Sequence, residues 1–192
     1  NPVLSTPNSD RLDEALAGLD LMVSIDVYLN ETTRQADVIL PGVSPLRRAH
    51  YDFAFNQLSV RNVANYSPPL FPLPEGTPDE WQIMLRLGAV ASGQGADVDL
   101  DALDDGVFAM MVGSAVSNPA SSVGGRSPEE IFAKTNGDRG PERMLDFMIR
   151  TGPYGDGYGA DPAGLTLERL EAAPHGVDLG PLRPCLAERM PP

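Results

Sequence analysis

Hydrophobic positions near the start of the chain follow the period of an α-helix. Leu12, Leu16 and Leu19 lie four and three residues apart in the segment SDRLDEALAGLD, which is the spacing of one helix face. Ser9 is placed to cap this helix, and Asp10 lies in its first turn. The pattern therefore predicts an amphipathic helix.

A mostly continuous apolar run, residues 21–28, follows this helix. Such a run predicts a buried parallel strand, because strands covered on both faces lack the alternation of apolar and polar residues. The segment ETTRQA is predicted as a short helical turn, and residues 37–40 as a second short strand that ends at Pro41 and Gly42. Helix, strand, turn and strand in this order predict an open α/β sheet.

The rest of the chain is predicted to be mainly helical. A proline-rich surface crossing at residues 65–78 leads into a helix at 78–91, and the segments DLDALDDGVFAMMVGSAVS, SPEEIFAKT and PERMLDFMIRTG are further helical candidates. The predicted organisation is a partial Rossmann-like open parallel sheet at residues 1–92, a helical region with a glycine-rich loop at 93–164, and a short helix with an extended linker at 165–192.

Composition and charge exclude several classes of partner. With 192 residues, 42% of them hydrophobic, the chain is large enough to bury a core. A net charge of −13 argues against nucleic-acid binding, because no basic stripe is present to contact phosphates. No apolar stretch approaches the roughly 20 residues of a membrane span, and the segment NPVLSTPNSD lacks the features of a signal peptide. We therefore expect neither a nucleic acid nor a membrane as partner.

Residues that could carry out catalysis or bind a metal do not form a recognisable set. Cys185 is the single cysteine, so the chain has no internal disulfide and no cysteine-only metal site, which favours a cytoplasmic location. His50 and His175 are far apart in the sequence, so they do not form a recognisable pair of metal ligands. The acidic run at residues 97–105 lacks the ligand order of a calcium loop. We predict no catalytic residue, no metal ligand, and a solvated helix start for this acidic run.

The glycine-rich segment GPYGDGYGADPAG, residues 152–164, suggests a phosphate-binding loop at first sight. It does not follow a predicted strand, and it lacks the lysine and hydroxyl residue that complete such a loop. We interpret it instead as a flexible connection or as an element at the rim of an active site.

Two aspartates stand at the ends of the predicted strands. Asp26 and the loop from Leu29 to Thr33 fall where the first strand ends, and open α/β sheets bind ligands at this position. The Asp26 carboxylate could accept hydrogen bonds from a ribose diol or from the amino and imino groups of a guanine, or it could cap the following turn. Asp37 opens the second strand after a turn, which favours a structural role.

The order of these motifs resembles one enzyme family. An NP turn, a helix, the segment VSIDVYLNETTRQADVILP and a PDEW that opens another helix are similar to the molybdopterin-dependent oxidoreductases of the dimethyl sulfoxide reductase type. This family includes formate dehydrogenases and nitrate reductases. The resemblance is strongest over residues 1–41 and returns at 76–87.

The resemblance implies a cofactor and a set of contacts. In this family the α/β domain binds the guanosine end of one of two molybdopterin guanine dinucleotides (bis-MGD). The two dinucleotides together coordinate molybdenum or tungsten. The positions that match dinucleotide contacts are Asn1, Ile25, Asp26, Arg48 and Asp79.

The resemblance also implies that the chain is a fragment of a longer catalytic subunit. The cysteine-rich motif of the family is absent, so an iron–sulfur cluster is expected only in the rest of the parent protein. We expect the isolated chain to be inactive, and the parent to act on a small redox substrate with an electron-transfer partner. Two alternatives remain, a stand-alone nucleotide-binding module and a helical interaction protein whose acidic surface meets a basic partner.

Overall fold

The computed structural model describes residues 1–52 and 58–182. The chain divides into two compact units. The first unit comprises Asn1–Arg48 and Phe71–Glu80, and the second comprises Ala49–Leu70 and Trp81–Pro192. The described residues combine helices with small parallel and antiparallel sheets, so the predicted α/β class is confirmed at that level.

The first unit contains two helices and two strands. Helices α1 and α2 precede the strands β1 and β2, with 3-10 turns at Thr33–Gln35 and Pro45–Arg47. The bounds are α1 Pro2–Ser5, α2 Ser9–Ala17, β1 Val23–Ile25 and β2 Val38–Leu40.

The predicted first helix is present as α2, but its cap differs from the prediction. The helix begins at Ser9 itself, and the preceding Asn8 occupies the cap position with a left-handed φ of 62°. The expectation that Ser9 caps the helix was therefore wrong. Asp13 of α2 accepts hydrogen bonds from Arg34 at 3.0 Å and from Gln35 at 2.7 Å, which ties α2 to the turn between the strands.

Strands β1 and β2 pair in parallel, with Val23 opposite Val38 and Ile25 opposite Leu40. In the described residues they form a two-stranded sheet, which by itself does not establish a Rossmann-like arrangement. Val23 is 40% exposed and Val38 is 44% exposed, so the expectation of a buried strand was wrong here. An apolar run is buried on both faces only where other elements cover the sheet, and a pair of short strands leaves its side chains accessible.

The described residues of the second unit combine helices with two small antiparallel sheets. Strand β4 pairs with β6, and β3 pairs with β5. Helix α3 has its first residue, Glu80, in the first unit and continues in the second. In chain order the elements are β3 His50–Tyr51, β4 Arg61–Ala64, β5 Tyr66–Ser67, α3 Glu80–Ala91, α4 Leu100–Ser117, α5 Pro128–Lys134, α6 Pro141–Thr151, α7 Leu167–Glu171 and β6 Val177–Pro181.

Part of the predicted tail is a paired strand, because β6 lies within residues 165–192. Cys185 lies outside the described residues. Among the helices that the structure describes, none has the length and apolar character needed to cross a bilayer.

The acidic run at residues 97–105 begins helix α4, as predicted. Asp99 caps the helix by accepting a hydrogen bond from the Ala102 N–H at 3.1 Å. Asp104, however, is only 1% exposed, so the run is not fully solvated. Asp104 forms an ion pair with Arg143 of α6 and accepts a hydrogen bond from the Gly140 N–H at 2.9 Å. These contacts join α4 to the start of α6.

In the described part of the second unit, two clusters of buried apolar side chains form much of the core. The first cluster packs α6, α7 and β4, and the second packs α4, α5 and α6 with the glycine-rich loop. Their buried members are Ala64, Tyr66, Ile149, Leu165, Leu167 and Leu170 in the first cluster, and Phe108, Val112, Val123, Ile131, Phe147 and Tyr158 in the second.

The glycine-rich segment is a packed loop rather than a flexible connection. The guanidinium group of Arg150 donates to both carboxylate oxygens of Asp156, at 2.9 and 2.8 Å. Asp156 also accepts hydrogen bonds from the N–H groups of Tyr158 and Gly159, at 2.9 and 3.0 Å. Burial alone would raise the pKa of Asp156, but these donors outweigh it and lower the pKa. The Tyr158 side chain is consequently held inside the core.

Candidate functional site

The candidate site lies in the first unit, at the carboxyl ends of β1 and β2. Asp26 directly follows β1, and its N–H donates to the carbonyl oxygen of Leu40, the last residue of β2, at 3.3 Å. Asp26 therefore lies beside the ends of both strands. Parallel α/β sheets bind ligands at this edge because the loops leave the sheet there.

The carboxylate of Asp26 is bonded through both oxygens to the loop that follows it. Oδ1 accepts from the Tyr28 N–H at 3.0 Å, and Oδ2 accepts from the Asn30 side-chain amide at 2.9 Å. The Tyr28 N–H and, next, the Asn30 amide hold the pKa of Asp26 below its usual value. An ionised carboxylate has about four acceptor positions, so these two bonds leave capacity for a ligand. The turn-capping and ligand-binding roles of Asp26 are thus compatible.

Short polar side chains fix the loop that follows Asp26. Asn30 Oδ1 accepts from the N–H groups of Thr32 and Thr33, at 3.0 and 3.1 Å. The Thr33 hydroxyl accepts from the Asn30 N–H at 2.8 Å and donates to the Tyr28 carbonyl at 3.0 Å. We name residues 26–33 the strand-end loop. Its shape depends on side-chain acceptors that reach backbone N–H groups a few residues away.

Asn1 is attached to this same loop. Its Nδ2 donates to Glu31 Oε2 at 2.6 Å, and its Oδ1 accepts from the Thr32 hydroxyl at 2.7 Å. The Val3 N–H also donates to the Thr32 hydroxyl oxygen, at 3.0 Å. Both ends of the Asn1 amide therefore hold the strand-end loop, so Asn1 supports the segment that carries Asp26.

Arg48 and Asp79 meet at a different residue, Glu80. Arg48 Nη1 donates to the Glu80 carboxylate, and Asp79 Oδ1 accepts from the Glu80 N–H at 2.6 Å. A Cβ atom added to Gly42 would lie 2.8 Å from Glu80 Oε1, so the Glu80 carboxylate rests against the backbone just after β2. A small residue at this position leaves room for that carboxylate.

The five residues predicted to contact a dinucleotide thus fall into two groups. Asn1, Ile25 and Asp26 belong to the end of β1 and the strand-end loop, with Ile25 half-buried opposite Leu40. Arg48 and Asp79 gather around Glu80. The short segment from Leu40 to Gly42 contacts both groups, through the Asp26 N–H at one end and the Glu80 carboxylate at the other. Contact of these five residues with a ligand stays a prediction.

Asp37 lies at the opposite end of the strand pair. Its Oδ2 accepts from the Met22 N–H at 2.8 Å, and its own N–H donates to the Met22 carbonyl at 2.9 Å. This double contact joins the start of β2 to the residue before β1. Asp37 therefore has the structural role that its position in the sequence favoured.

Three residues of the site were not singled out individually from the sequence. Asn30 and Thr32 lie in the segment NETT, and a run of short polar residues directly after a strand is a signal for a side-chain-bonded loop. Glu80 follows Asp79 directly, but its contact with Arg48 joins segments that are distant in sequence. The polar run NETT is therefore a local signal in the sequence, whereas the contact between Glu80 and Arg48 is not.

The described residues contain no group of three or more His, Cys, Asp or Glu side chains placed to hold a metal ion.

Comparisons with known proteins give partial matches. No family profile and no solved structure matches the chain. The catalytic subunit of the assimilatory nitrate reductase of Bacillus subtilis is 33% identical over 96 residues, which are 50% of this chain and 12% of that protein. An alpha subunit of a formate dehydrogenase of Methanococcus maripaludis is 46% identical over 44 residues, 23% of this chain and 6% of that protein. The corresponding subunit of Methanocaldococcus jannaschii is 44% identical over 41 residues, 21% of this chain and 6% of that protein.

The chain therefore spans about one eighth or less of the length of these relatives. Its similarity to nitrate reductase and formate dehydrogenase subunits agrees with the resemblance found in the motifs, over these partial segments. Both kinds of relative are oxidoreductases, so an oxidoreductase parent has partial support.

Proposed function

We propose that this chain is part of the catalytic subunit of a molybdenum or tungsten oxidoreductase, and that its first unit binds the guanosine end of a molybdopterin guanine dinucleotide. The observation that carries the proposal is the hydrogen-bonded carboxylate of Asp26, fixed at the carboxyl end of a parallel strand pair with acceptor positions left over. The partial similarity to nitrate reductase and formate dehydrogenase subunits supports it and favours it over the two alternatives. The proposal includes a Rossmann-like sheet of which β1 and β2 are two strands.

Guanine suits this carboxylate chemically. Its imino group and its exocyclic amino group are adjacent donors, and a carboxylate can accept from both. Hydrogen bonds to an ionised acceptor are stronger than neutral ones. The residues that we propose as further contacts with the dinucleotide are Asn1, Ile25, Arg48 and Asp79.

The bound cofactor would supply two-electron redox chemistry at its metal. This chain would hold the nucleotide end, far from the reacting atoms in the chemical structure of the dinucleotide. The substrate, the electron-transfer partner and any iron–sulfur cluster belong, in this proposal, to the rest of the parent protein.

A nucleotide titration of the 192-residue chain tests the proposal. GDP serves as the probe, and ADP serves as the control because it has the same ribose and diphosphate but lacks the adjacent imino and amino donors. We expect GDP to shift the backbone amide NMR signals of the strand-end loop, and ADP to shift them much less. Equal shifts with both nucleotides would point to the shared ribose or diphosphate and overturn recognition of the guanine base, and no shift with GDP would overturn the proposal as a whole.

The variant Asp26→Asn sharpens this test. Xanthine carries a carbonyl where guanine carries the amino group, so it presents one donor and one acceptor. The amide of the variant offers the complementary acceptor and donor. We expect Asp26→Asn to weaken GDP binding by about tenfold or more and to strengthen binding of xanthosine diphosphate. A variant that binds GDP as well as the original chain would show that Asp26 does not contact the base.

A further inference from the structure

Asn30 uses the two ends of its side-chain amide for different partners. Its Oδ1 accepts from the N–H groups of Thr32 and Thr33, and its Nδ2 donates to Asp26 Oδ2 at 2.9 Å. Two backbone donors require an acceptor on one side, and the ionised carboxylate requires a donor on the other. The network therefore fixes which end of the amide faces Asp26.

The loop that carries Asn30 is itself anchored. Thr32 is 8% exposed, and its hydroxyl bonds to the Asn1 side chain and to the Val3 N–H. Thr33 is 2% exposed, and its hydroxyl bonds to the backbone of Tyr28 and Asn30. Asn30 thus reaches Asp26 from a loop that is also held by Asn1 and Val3.

We infer that Asn30 is a positioning residue, which orients the Asp26 carboxylate for its ligand. This inference rests on the proposed function of Asp26. The Tyr28 N–H holds Oδ1 and the Asn30 amide holds Oδ2, so rotation of the carboxylate group is restricted. Asn30 does not need to contact the ligand, because its effect passes through Asp26.

An aspartate at position 30 tests this role. In Asn30→Asp one oxygen can still accept from the loop N–H groups, while the other replaces the donor that faces Asp26 with a second negative charge. Neighbouring carboxylates raise the apparent pKa of the pair. The α-amino group of Asn1 also acts on Asp26 and lowers its pKa, as a smaller effect than the two hydrogen bonds, and it is unchanged in this variant.

Thr32→Val is the matched control. It keeps the shape of the side chain and removes the hydroxyl that bonds Asn1 and Val3, but it leaves the contact between Asn30 and Asp26 in place. A residue that only stabilises the loop should behave like Thr32. A residue that positions Asp26 should instead change the titration of Asp26 and the pH profile of binding.

The experiment follows the carboxyl-carbon NMR signal of Asp26 against pH, and GDP affinity against pH, in the 192-residue chain and its variants. In Asn30→Asp we expect the Asp26 midpoint to rise by about one pH unit or more. Because GDP needs the ionised carboxylate, the acid limb of binding should move to higher pH by a similar amount. In Thr32→Val both midpoints should stay where they are. If Asn30→Asp does not fold, Asn30→Ser is used instead. This variant removes the amide donor without adding a charge, so the Asp26 midpoint should move towards the ordinary pKa of an aspartate.

The outcomes separate this inference from the function on which it rests. An unchanged Asp26 midpoint in Asn30→Asp, or in Asn30→Ser where that variant is used, overturns the positioning role, whether or not GDP binds. The positioning role is also overturned if Asn30→Asp and Thr32→Val lose GDP affinity equally while the midpoints of Asp26 titration and GDP binding stay unchanged. That result would show that Asn30 only stabilises the loop. Failure of the original chain to bind GDP overturns the proposed function, and the titration of Asp26 still decides whether Asn30 controls that carboxylate.

Discussion

At the scale of single residues, the two strand-end aspartates show how position decides the role of a carboxylate. Asp26 lies after β1 and bonds to the loop that leaves the sheet, whereas Asp37 lies before β2 and bonds to Met22. Both carboxylates accept backbone hydrogen bonds. Only the carboxyl-terminal edge of a parallel pair, however, is the edge at which ligands bind.

Alanine substitutions at these two positions should differ in their effect on cofactor binding in the full-length parent. We expect Asp26→Ala to lower cofactor occupancy and also to lose stability on the order of 1 kcal/mol, because its hydrogen bonds to Tyr28 and Asn30 are removed. Asp37→Ala should keep full occupancy but lose about 1 kcal/mol of stability with its hydrogen bond to Met22. Guanine nucleotide released by acid, set beside a thermal melt, measures both effects. Equal losses of nucleotide in the two variants would contradict the assignment.

At the scale of elements, local signals predicted the helices well. Helix α4 begins after Asp99 and α5 begins after Ser127, and each side chain accepts a hydrogen bond from the first turn of its helix. These capping residues are adjacent in sequence to the helices that they begin, so the start of each helix can be predicted from the local sequence. A proline in the first turn of α5 adds a second local signal.

The strand pairings and the site network were less accessible to prediction. Strand β4 pairs with β6, and the whole helical region lies between these two strands in the sequence. A local sequence pattern does not indicate a partner strand that is so distant in sequence. The contact of Thr32 with Asn1 likewise joins residues 31 positions apart. Asp26 could be identified because its place at a strand end is visible in the sequence. The polar run after β1 marks Asn30 as part of a side-chain-bonded loop, whereas the role of Glu80 depends on its contact with Arg48, which is distant in sequence.

The glycine-rich loop gives a prediction at this scale. A Cβ atom on Gly155 would lie 2.2 Å from the Ile149 carbonyl oxygen and 2.3 Å from that of Arg150, so Gly155→Ala forces the backbone apart. We expect it to destabilise the chain by roughly 1–3 kcal/mol or more. Gly113→Ala in α4 is the control, because its added Cβ meets no atom within 4 Å apart from the neighbouring backbone of its own helix, and alanine favours a helix. Urea unfolding measures the free energy of unfolding of both variants. If Gly155→Ala leaves this free energy unchanged, the loop is loosely packed.

At the scale of the whole molecule, the proposal assigns this chain a part of a larger cofactor site. The residues available for the nucleotide end lie in the first unit, and the described residues contain no cluster that could hold a metal ion by itself. A dinucleotide whose metal end is held elsewhere should not be retained by the nucleotide end alone. The chain would then act as a support for one end of the cofactor.

We therefore expect the isolated 192-residue chain to retain neither molybdenum nor tungsten and to show no dehydrogenase or reductase turnover with a dye acceptor. Metal analysis by mass spectrometry and a dye-linked assay check this, with the full-length parent as the positive control. Stoichiometric metal together with turnover in the purified chain would show that the active centre is complete without the rest of the parent.

The pairing of β4 with β6 also sets an order of events during synthesis. Arg61 of β4 forms its ion pair with Asp178 of β6, a residue 117 positions later. At a translation rate of about 5–20 residues per second, β4 leaves the ribosome roughly 6–23 seconds before its partner. During that interval the nascent chain presents an unpaired strand edge, which is a surface that chaperones and other chains can bind. A ribosome that stalls within the helical region would prolong this exposure.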